Sequence, residues 1–137
     1  MNHVFNVVIL FFLFIFIDTP ITWGINGKRF GAMFQAINGV PMKWNTRTII
    51  STLCAYILMT VGLYVLVLLP ELQKEKSQRD VRGAVMKGML QGLITTGIYD
   101  TTSMATLPGF GTTEAVMDSA WGTIMYGLIT YSCLRIM

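Results

Sequence analysis

The chain has 137 residues, of which 53% are hydrophobic and only 12% are charged, and its mean hydropathy is +0.59. Soluble domains carry about a quarter charged residues, so this composition indicates an integral membrane protein with no room for a separate soluble enzymatic domain. The net charge of +3 comes mainly from Lys and Arg residues in two connecting stretches, a distribution typical of membrane proteins that argues against nucleic-acid binding.

The first predicted membrane span runs from Val4 to about Trp23. No Lys or Arg precedes its apolar core and no small-residue cleavage site follows it, so we expect a retained helix rather than a signal peptide. Pro20 is expected to kink or restart this helix, with Thr19 as a new N-cap.

Residues 24–47 form a connection rich in Gly and Asn. Four apolar residues recur in it at helical spacing: Phe30, Met33, Phe34 and Ile37. This spacing predicts a short amphipathic helix on the membrane surface, while Gly27, Gly31 and Gly39 equally allow an irregular loop. The second span, about 48–69, is expected to stop at Pro70. The charged stretch 71–87 is interpreted as a solvated hairpin connection.

The third span, about 81–106, carries a broad polar face that we expect to look inward. Its members recur at steps of three and four residues: Gln91, Thr95, Thr96, Tyr99, Asp100, Thr102 and Ser103. Gly88 and Gly92 form a GxxxG pair that allows close helix approach. After a tight turn, the fourth span runs over about 112–134, and Gly122 and Gly127 are expected to pack against the third.

The fold class predicted for residues 1–137 is therefore all-α: one polytopic domain built as a four-transmembrane-helix antiparallel bundle. The connections divide the basic residues six to four between the two sides of the membrane. The positive-inside rule then favours a cytoplasmic location for both termini.

Three carboxyls should lie near the same membrane face in such a bundle, and we call Asp18, Asp100 and Asp118 the carboxyl layer. Each lies roughly 8 to 9 Å from the midpoint of its helix at 1.5 Å per residue. Charges gathered there repel one another, so retained protons, a bound cation or a water-filled vestibule must compensate. Supporting candidates are Thr96, Tyr99, Ser103 and Trp121.

A structural role for the same three carboxyls is an equally open reading. Asp118 lies in the first turns of its helix, where the dipole favours a negative charge. Asp18 could cap a helix restarted at Pro20, and Asp100 could bond to the start of the fourth helix. Asp100 fits this reading least well, because it lies towards a helix C-terminus, where the dipole opposes it.

The segments Gly88–Gly92, Tyr99–Leu107 and Asp118–Gly122 together resemble a family of small predicted membrane proteins, domain of unknown function 2177. The resemblance extends to the second span, from Gly62 to Leu72. It implies that the following residues belong to the family's pattern: Asp18, Tyr99, Asp100, Ala105, Thr106, Leu107, Asp118, Trp121 and Gly122. Two departures stand out, since Ser103 replaces the family's Asn and an insertion follows Asp18.

Two functions from different classes remain open. The first is ion, proton or small-solute binding or transport by an Asp-rich polar pocket on the non-cytoplasmic side, in a homo-oligomer. The second is a structural or accessory subunit of a larger membrane assembly, such as an organelle complex or the internal membrane of a large virus.

An intramembrane lipid-modifying enzyme is a third reading with less support, because no nucleophile stands beside a base, and we expect no enzymatic activity. No cofactor is predicted. The sequence leaves a metal ligand set undefined, and His3 alone makes no metal site. Cys54 and Cys133 are interpreted as small packing residues.

Overall fold

A computed structural model describes residues 2–137, which are helical almost throughout. The six α-helices are α1 (His3–Thr19), α2 (Gly27–Asn38), α3 (Thr46–Leu63), α4 (Leu69–Leu72), α5 (Val81–Thr106) and α6 (Thr112–Ile136). Wider π-helical turns, Pro20–Ile25 and Tyr64–Leu68, continue α1 and join α3 to α4. A 3₁₀ turn, Lys76–Gln78, precedes α5. The all-α fold class is confirmed.

Two helical stretches of the described residues, His3–Ile25 and Thr46–Leu72, are long and apolar enough to cross a membrane. They correspond to the first two predicted spans. The helices α5 and α6 have 26 and 25 residues, which is enough length for a span. Their Gly, Thr and charged residues lower their apolar character below that of the first two.

The expected N-cap at Thr19 and the expected helix stop at Pro70 are wrong. Thr19 makes no side-chain capping bond, and the helix continues through Pro20 to Ile25 in a π-helical turn. At the second site the helix does not stop before Pro70, because the chain remains helical to Leu72. In both places the neighbouring π-helical turn shifts the hydrogen-bond register of the backbone. This shift accommodates the proline, which has no N–H to donate.

The connection after α1 contains the amphipathic helix, so the alternative of an irregular loop is wrong for Gly27–Asn38. Gly39 ends α2 with a φ of +73°, a left-handed conformation that favours glycine. The Asn45 side chain then caps α3 by accepting from the Thr48 backbone N–H at 3.0 Å.

The charged connection before α5 is more ordered than a solvated hairpin. Glu71 is buried, and its carboxylate accepts from Lys74 Nζ at 2.7 Å and from the Asp80 backbone N–H at 2.8 Å. The Asp80 side chain caps α5 through the Gly83 backbone N–H at 2.9 Å. These bonds fix the turn that sends the chain back into the bundle.

The long helices alternate in direction. At one end of α1, Asp18 meets Tyr56 of α3, and at the other end His3 Nδ1 lies 2.8 Å from the Tyr64 hydroxyl. Fully buried side chains fill the space between the helices: Leu10, Phe14, Leu63, Leu68, Tyr126, Ile129 and Cys133. This apolar core lies on the His3 side of Asp18, so the carboxyl layer is at one end of the bundle.

Candidate functional site

Asp18 is held by hydrogen bonds from three parts of the fold. Its Oδ1 accepts from the Thr22 hydroxyl at 2.6 Å and from Trp121 Nε1 at 2.9 Å. Its Oδ2 accepts from the Tyr56 hydroxyl at 2.5 Å. The helical continuation past Pro20 places Thr22 one turn beyond Asp18, so the correction at that proline accounts for this contact. Asp18 therefore links α1 to α3 and α6 and does not cap a restarted helix.

Asp100 and Asp118 form the second part of the layer. Asp100 is 1% exposed; its Oδ2 accepts from the Ser119 hydroxyl at 2.6 Å, and its Oδ1 has no hydrogen-bond donor. The Asp118 carboxyl lies next to Asp100 and close enough to Asp18 for a Coulombic interaction. Of the described residues, the ion pairs are Arg29–Glu114 and Lys74–Glu71, so no basic side chain neutralises this layer.

Close approach of α5 and α6 produces the pairing of Asp100 with Ser119 and Asp118. A Cβ atom built on Gly92 would lie 2.4 Å from the Gly122 carbonyl oxygen, and one on Gly122 would lie 2.4 Å from Thr96 Cγ2. Only glycine permits this spacing, as the sequence predicted for helix pairs of this type. Gly88 and Gly127 face Thr130 and Met89 along the same contact.

A cavity of about 920 Å³, which we call the vestibule, opens beside the carboxyl layer. Asp118 and Tyr99 line it from the bundle, while α2 and residues 40–48 supply most of the remaining wall. The Trp23 and Trp44 rings lie against each other with centroids 4.7 Å apart. The vestibule therefore gives Asp118 a route to the outside that the buried Asp100 lacks.

The helix α2 is held over the site by contacts with the α5–α6 hairpin. Arg29 Nε donates to Glu114, and the Gly111 backbone N–H lies 3.4 Å from Met33 Sδ. Glu114 lies in the first turn of α6, so this contact joins α2 to the start of that helix. These contacts set the position of the vestibule wall.

The remaining predicted residues divide between the two faces of α5. Ser103 is buried, while Tyr99 is 51% exposed and borders the vestibule. The Thr96 hydroxyl donates to the Gly92 carbonyl at 2.8 Å and packs on α6, away from the carboxyls. Thr95 and Thr102 are exposed, so the expectation that the whole polar face looks inward is wrong.

Sequence reasoning missed Tyr56, Ser119 and Thr22 as partners of the carboxyls. Tyr56 had a usable signal, because a tyrosine buried in an apolar helix normally finds a hydrogen-bond partner for its hydroxyl. Ser119 had none beyond its position next to Asp118. Within residues 2–137, no group of three or more His, Cys, Asp or Glu side chains has an arrangement that could hold a metal ion.

The helical fold, its apolar spans and the carboxyls among them define the class of a small membrane protein. The model of a family described as predicted membrane protein, domain of unknown function 2177, matches residues 3–134, and the chain belongs to this family. Neither the curated proteins nor the solved structures contain a match. The resemblance found in the sequence is thus confirmed over nearly the whole chain.

Proposed function

We propose that α5 and α6 cross the membrane together with the two apolar stretches, in a four-helix antiparallel bundle with both termini in the cytoplasm. Apolar side chains point outwards from all four long helices, where lipid would cover them. The most exposed on each are Phe16 at 75%, Leu58 at 73%, Ile98 at 63% and Val116 at 64%. The alternating helix directions and the six-to-four division of basic residues support the orientation.

We further propose that this bundle binds and exchanges protons at the pair Asp100–Asp118, as part of a small ion- or solute-transporting membrane protein. The observation that carries the proposal is the meeting of a buried carboxyl, Asp100, with one that lines an open vestibule, Asp118. Two neighbouring carboxylates in a low dielectric do not both ionise, so one of the two keeps its proton. The vestibule supplies the route by which that proton exchanges.

A proton fits this site better than a metal cation. Metal cations such as Ca²⁺ need several oxygen ligands around one point. Asp18 already accepts three hydrogen bonds, which leaves it little capacity to bind a metal. The unpaired oxygen of Asp100 and the facing Asp118 carboxyl offer room for a shared proton.

Proton flux into liposomes tests this proposal. The full-length protein is reconstituted with a pH-sensitive dye inside the vesicles, and a potassium gradient with valinomycin drives protons across the membrane. We expect Asp118→Asn and Asp100→Asn to lower the flux at least about ten-fold, because each removes one member of the exchanging pair. Glu75→Gln is the matched control, since Glu75 is an exposed carboxyl in the charged connection.

Three results would count against proton exchange. They are a wild-type protein without flux above that of empty liposomes, flux unchanged in both Asp variants, and an equal loss in the Glu75→Gln control. Circular dichroism and size-exclusion profiles of each variant show whether a loss of flux reflects loss of fold. The size of the particle in detergent also tests the predicted homo-oligomer, because four helices are few for a transport path.

An accessory role in a larger membrane assembly is the second candidate, and the hydrogen bonding of Asp18 favours it. A carboxyl that receives bonds from α3, α6 and its own helix does what a structural network requires. Under this alternative, Asp100→Asn and Asp118→Asn lower thermal stability without changing proton flux. Extraction from its native membrane in mild detergent would then recover the chain with stable partner subunits rather than as a homo-oligomer.

A further inference from the structure

A second set of buried polar atoms lies deeper in the bundle than the carboxyl layer. We call Thr60, Gln91 and Tyr126 the inner polar layer. Among residues 2–137, Thr60 Oγ1, Gln91 Oε1 and the Tyr126 hydroxyl have no hydrogen-bond partner, and Thr60 and Tyr126 are 1% and 0% exposed. An unsatisfied buried polar group costs about 1–3 kcal/mol, so folded proteins contain few of them.

These three residues lie on three neighbouring helices, α3, α5 and α6. Thr60 follows Tyr56 by one turn of α3, and the Tyr126 ring packs edge-on against Phe14, one turn before Asp18, with centroids 5.1 Å apart. Gln91 reaches α3, because its Nε2 would lie 2.9 Å from a Cβ atom on Gly62. At 1.5 Å per residue, Thr60 and Tyr126 lie roughly 6 to 8 Å deeper than the residues that bond to Asp18.

No other protein group relieves this shortage of partners. The Thr95 hydroxyl, near Tyr126, donates to the Gln91 backbone carbonyl at 2.8 Å, and it forms no hydrogen bond with the Tyr126 hydroxyl. On the far side of the layer Leu10, Leu63 and Ile129 are all fully buried and form an apolar floor. The unpartnered atoms therefore lie between the carboxyls above and an apolar barrier below.

We infer that ordered water molecules occupy the inner polar layer and connect it to the unpaired Oδ1 of Asp100. Buried waters typically make two to four hydrogen bonds to polar groups that would otherwise be unsatisfied, which is what these atoms offer. This water also extends the proton path inwards from the Asp100–Asp118 pair, an extension that rests on the proposed function.

Water-edited solid-state NMR on the full-length chain in bilayers measures the hydration directly. Magnetisation transfer from water to the Thr60 and Tyr126 side chains should be nearly as fast as transfer to Tyr99, which borders the vestibule. Transfer to Phe14 and Ile129 should be clearly slower. Equal slowness for Tyr126, Thr60 and Ile129 would overturn the inference, because it would mean that the inner polar layer is dry.

The direction in which Tyr126→Phe changes Tm is an independent test of whether the inner polar layer is hydrated. If water bonds to the Tyr126 hydroxyl, Tyr126→Phe lowers Tm, because a satisfied hydrogen bond is lost. If the hydroxyl is dry, the same change leaves Tm unchanged or raises it, since an unpaired polar group is removed. Tyr131→Phe is the matched control, because Tyr131 lies on the exposed side of the same helix and should leave Tm unchanged.

Proton flux separates this inference from the proposed function. Tyr126→Phe and Gln91→Leu should slow the flux about ten-fold, the change expected when a barrier rises by the worth of one hydrogen bond. A wild-type protein that conducts protons at a rate unaffected by both changes would overturn the inner path and leave the carboxyl pair in place. A wild-type protein without flux would overturn the path and the proposed function together, while NMR and Tm would still decide the hydration.

Discussion

Replacing Gly92 by alanine tests the packing that brings the Asp100–Asp118 pair together. The added methyl group would lie 2.4 Å from the carbonyl oxygen of Gly122, 2.9 Å from its carbonyl carbon and 2.9 Å from Tyr126 Cβ. Two of these atoms are backbone and the third is a Cβ atom, so no rotamer change relieves the overlap. The α5 and α6 helices must move apart.

The expected magnitude follows from two opposing terms. Overpacking of a close contact costs about 1–3 kcal/mol. Alanine in a helix interior gains up to about 1 kcal/mol over glycine. The balance for Gly92→Ala is a loss of up to about 2 kcal/mol in the free energy of unfolding.

Gly97→Ala is the control, because it makes the same change five residues further along the same helix. A Cβ atom there would lie 4.0 Å from the nearest side-chain atom, Ser119 Oγ, so only the helix-propensity gain remains. We expect this variant to be stabilised by up to about 1 kcal/mol. Gly127→Ala should fall between the two, because the atoms it meets belong to the flexible side chain of Met89.

Equilibrium unfolding in mild detergent, followed by circular dichroism, measures these three differences. Proton flux, measured after the same variants are reconstituted into liposomes, shows whether separation of α5 and α6 also disturbs the Asp100–Asp118 pair. The reasoning fails if Gly92→Ala and Gly97→Ala change the free energy of unfolding in the same direction, because the close contact at Gly92 and the open space at Gly97 predict opposite signs.

Two further outcomes test other contacts. Tyr56→Phe removes the hydroxyl that donates to Asp18. It should lower the free energy of unfolding by about 1–3 kcal/mol, the cost of leaving a buried acceptor without its donor. Tyr131→Phe, at an exposed position, should have no effect in the same unfolding assay. In detergent, a membrane-permeant maleimide should label Cys54, on the outer face of α3, faster than the fully buried Cys133, and mass spectrometry that finds both labelled at the same rate would contradict the packing of α6.

Helices and their directions follow from the sequence because length, apolar composition and turn residues act locally. The bounds of α5 agree with those expected, since its Asp80 cap and the glycine turn after Leu107 are local signals. The chain at the two prolines departs from the expected helix ends, because each proline is accommodated by the hydrogen-bond register of a neighbouring π-helical turn. A π-helical turn has no distinct sequence pattern, so the sequence alone predicted a break where the chain continues.

The carboxyl layer shows the same division between local and tertiary information. The position of each Asp along its helix is a matter of counting residues. The partners of each Asp depend on helix rotation, which is fixed by contacts such as Gly92 against Gly122. Because the polar face of α5 is broader than the part of it that α6 covers, Thr96 and Asp100 face α6 while Tyr99 borders the vestibule.

The three carboxyls are therefore not equivalent, and the two readings of the layer apply to different members. Asp18 accepts three hydrogen bonds, most of what a carboxylate can accept, and these bonds join α1 to α3 and α6. Asp100 has an oxygen without a donor and Asp118 has access to the vestibule. We therefore propose a structural role for Asp18 and proton exchange for the other two.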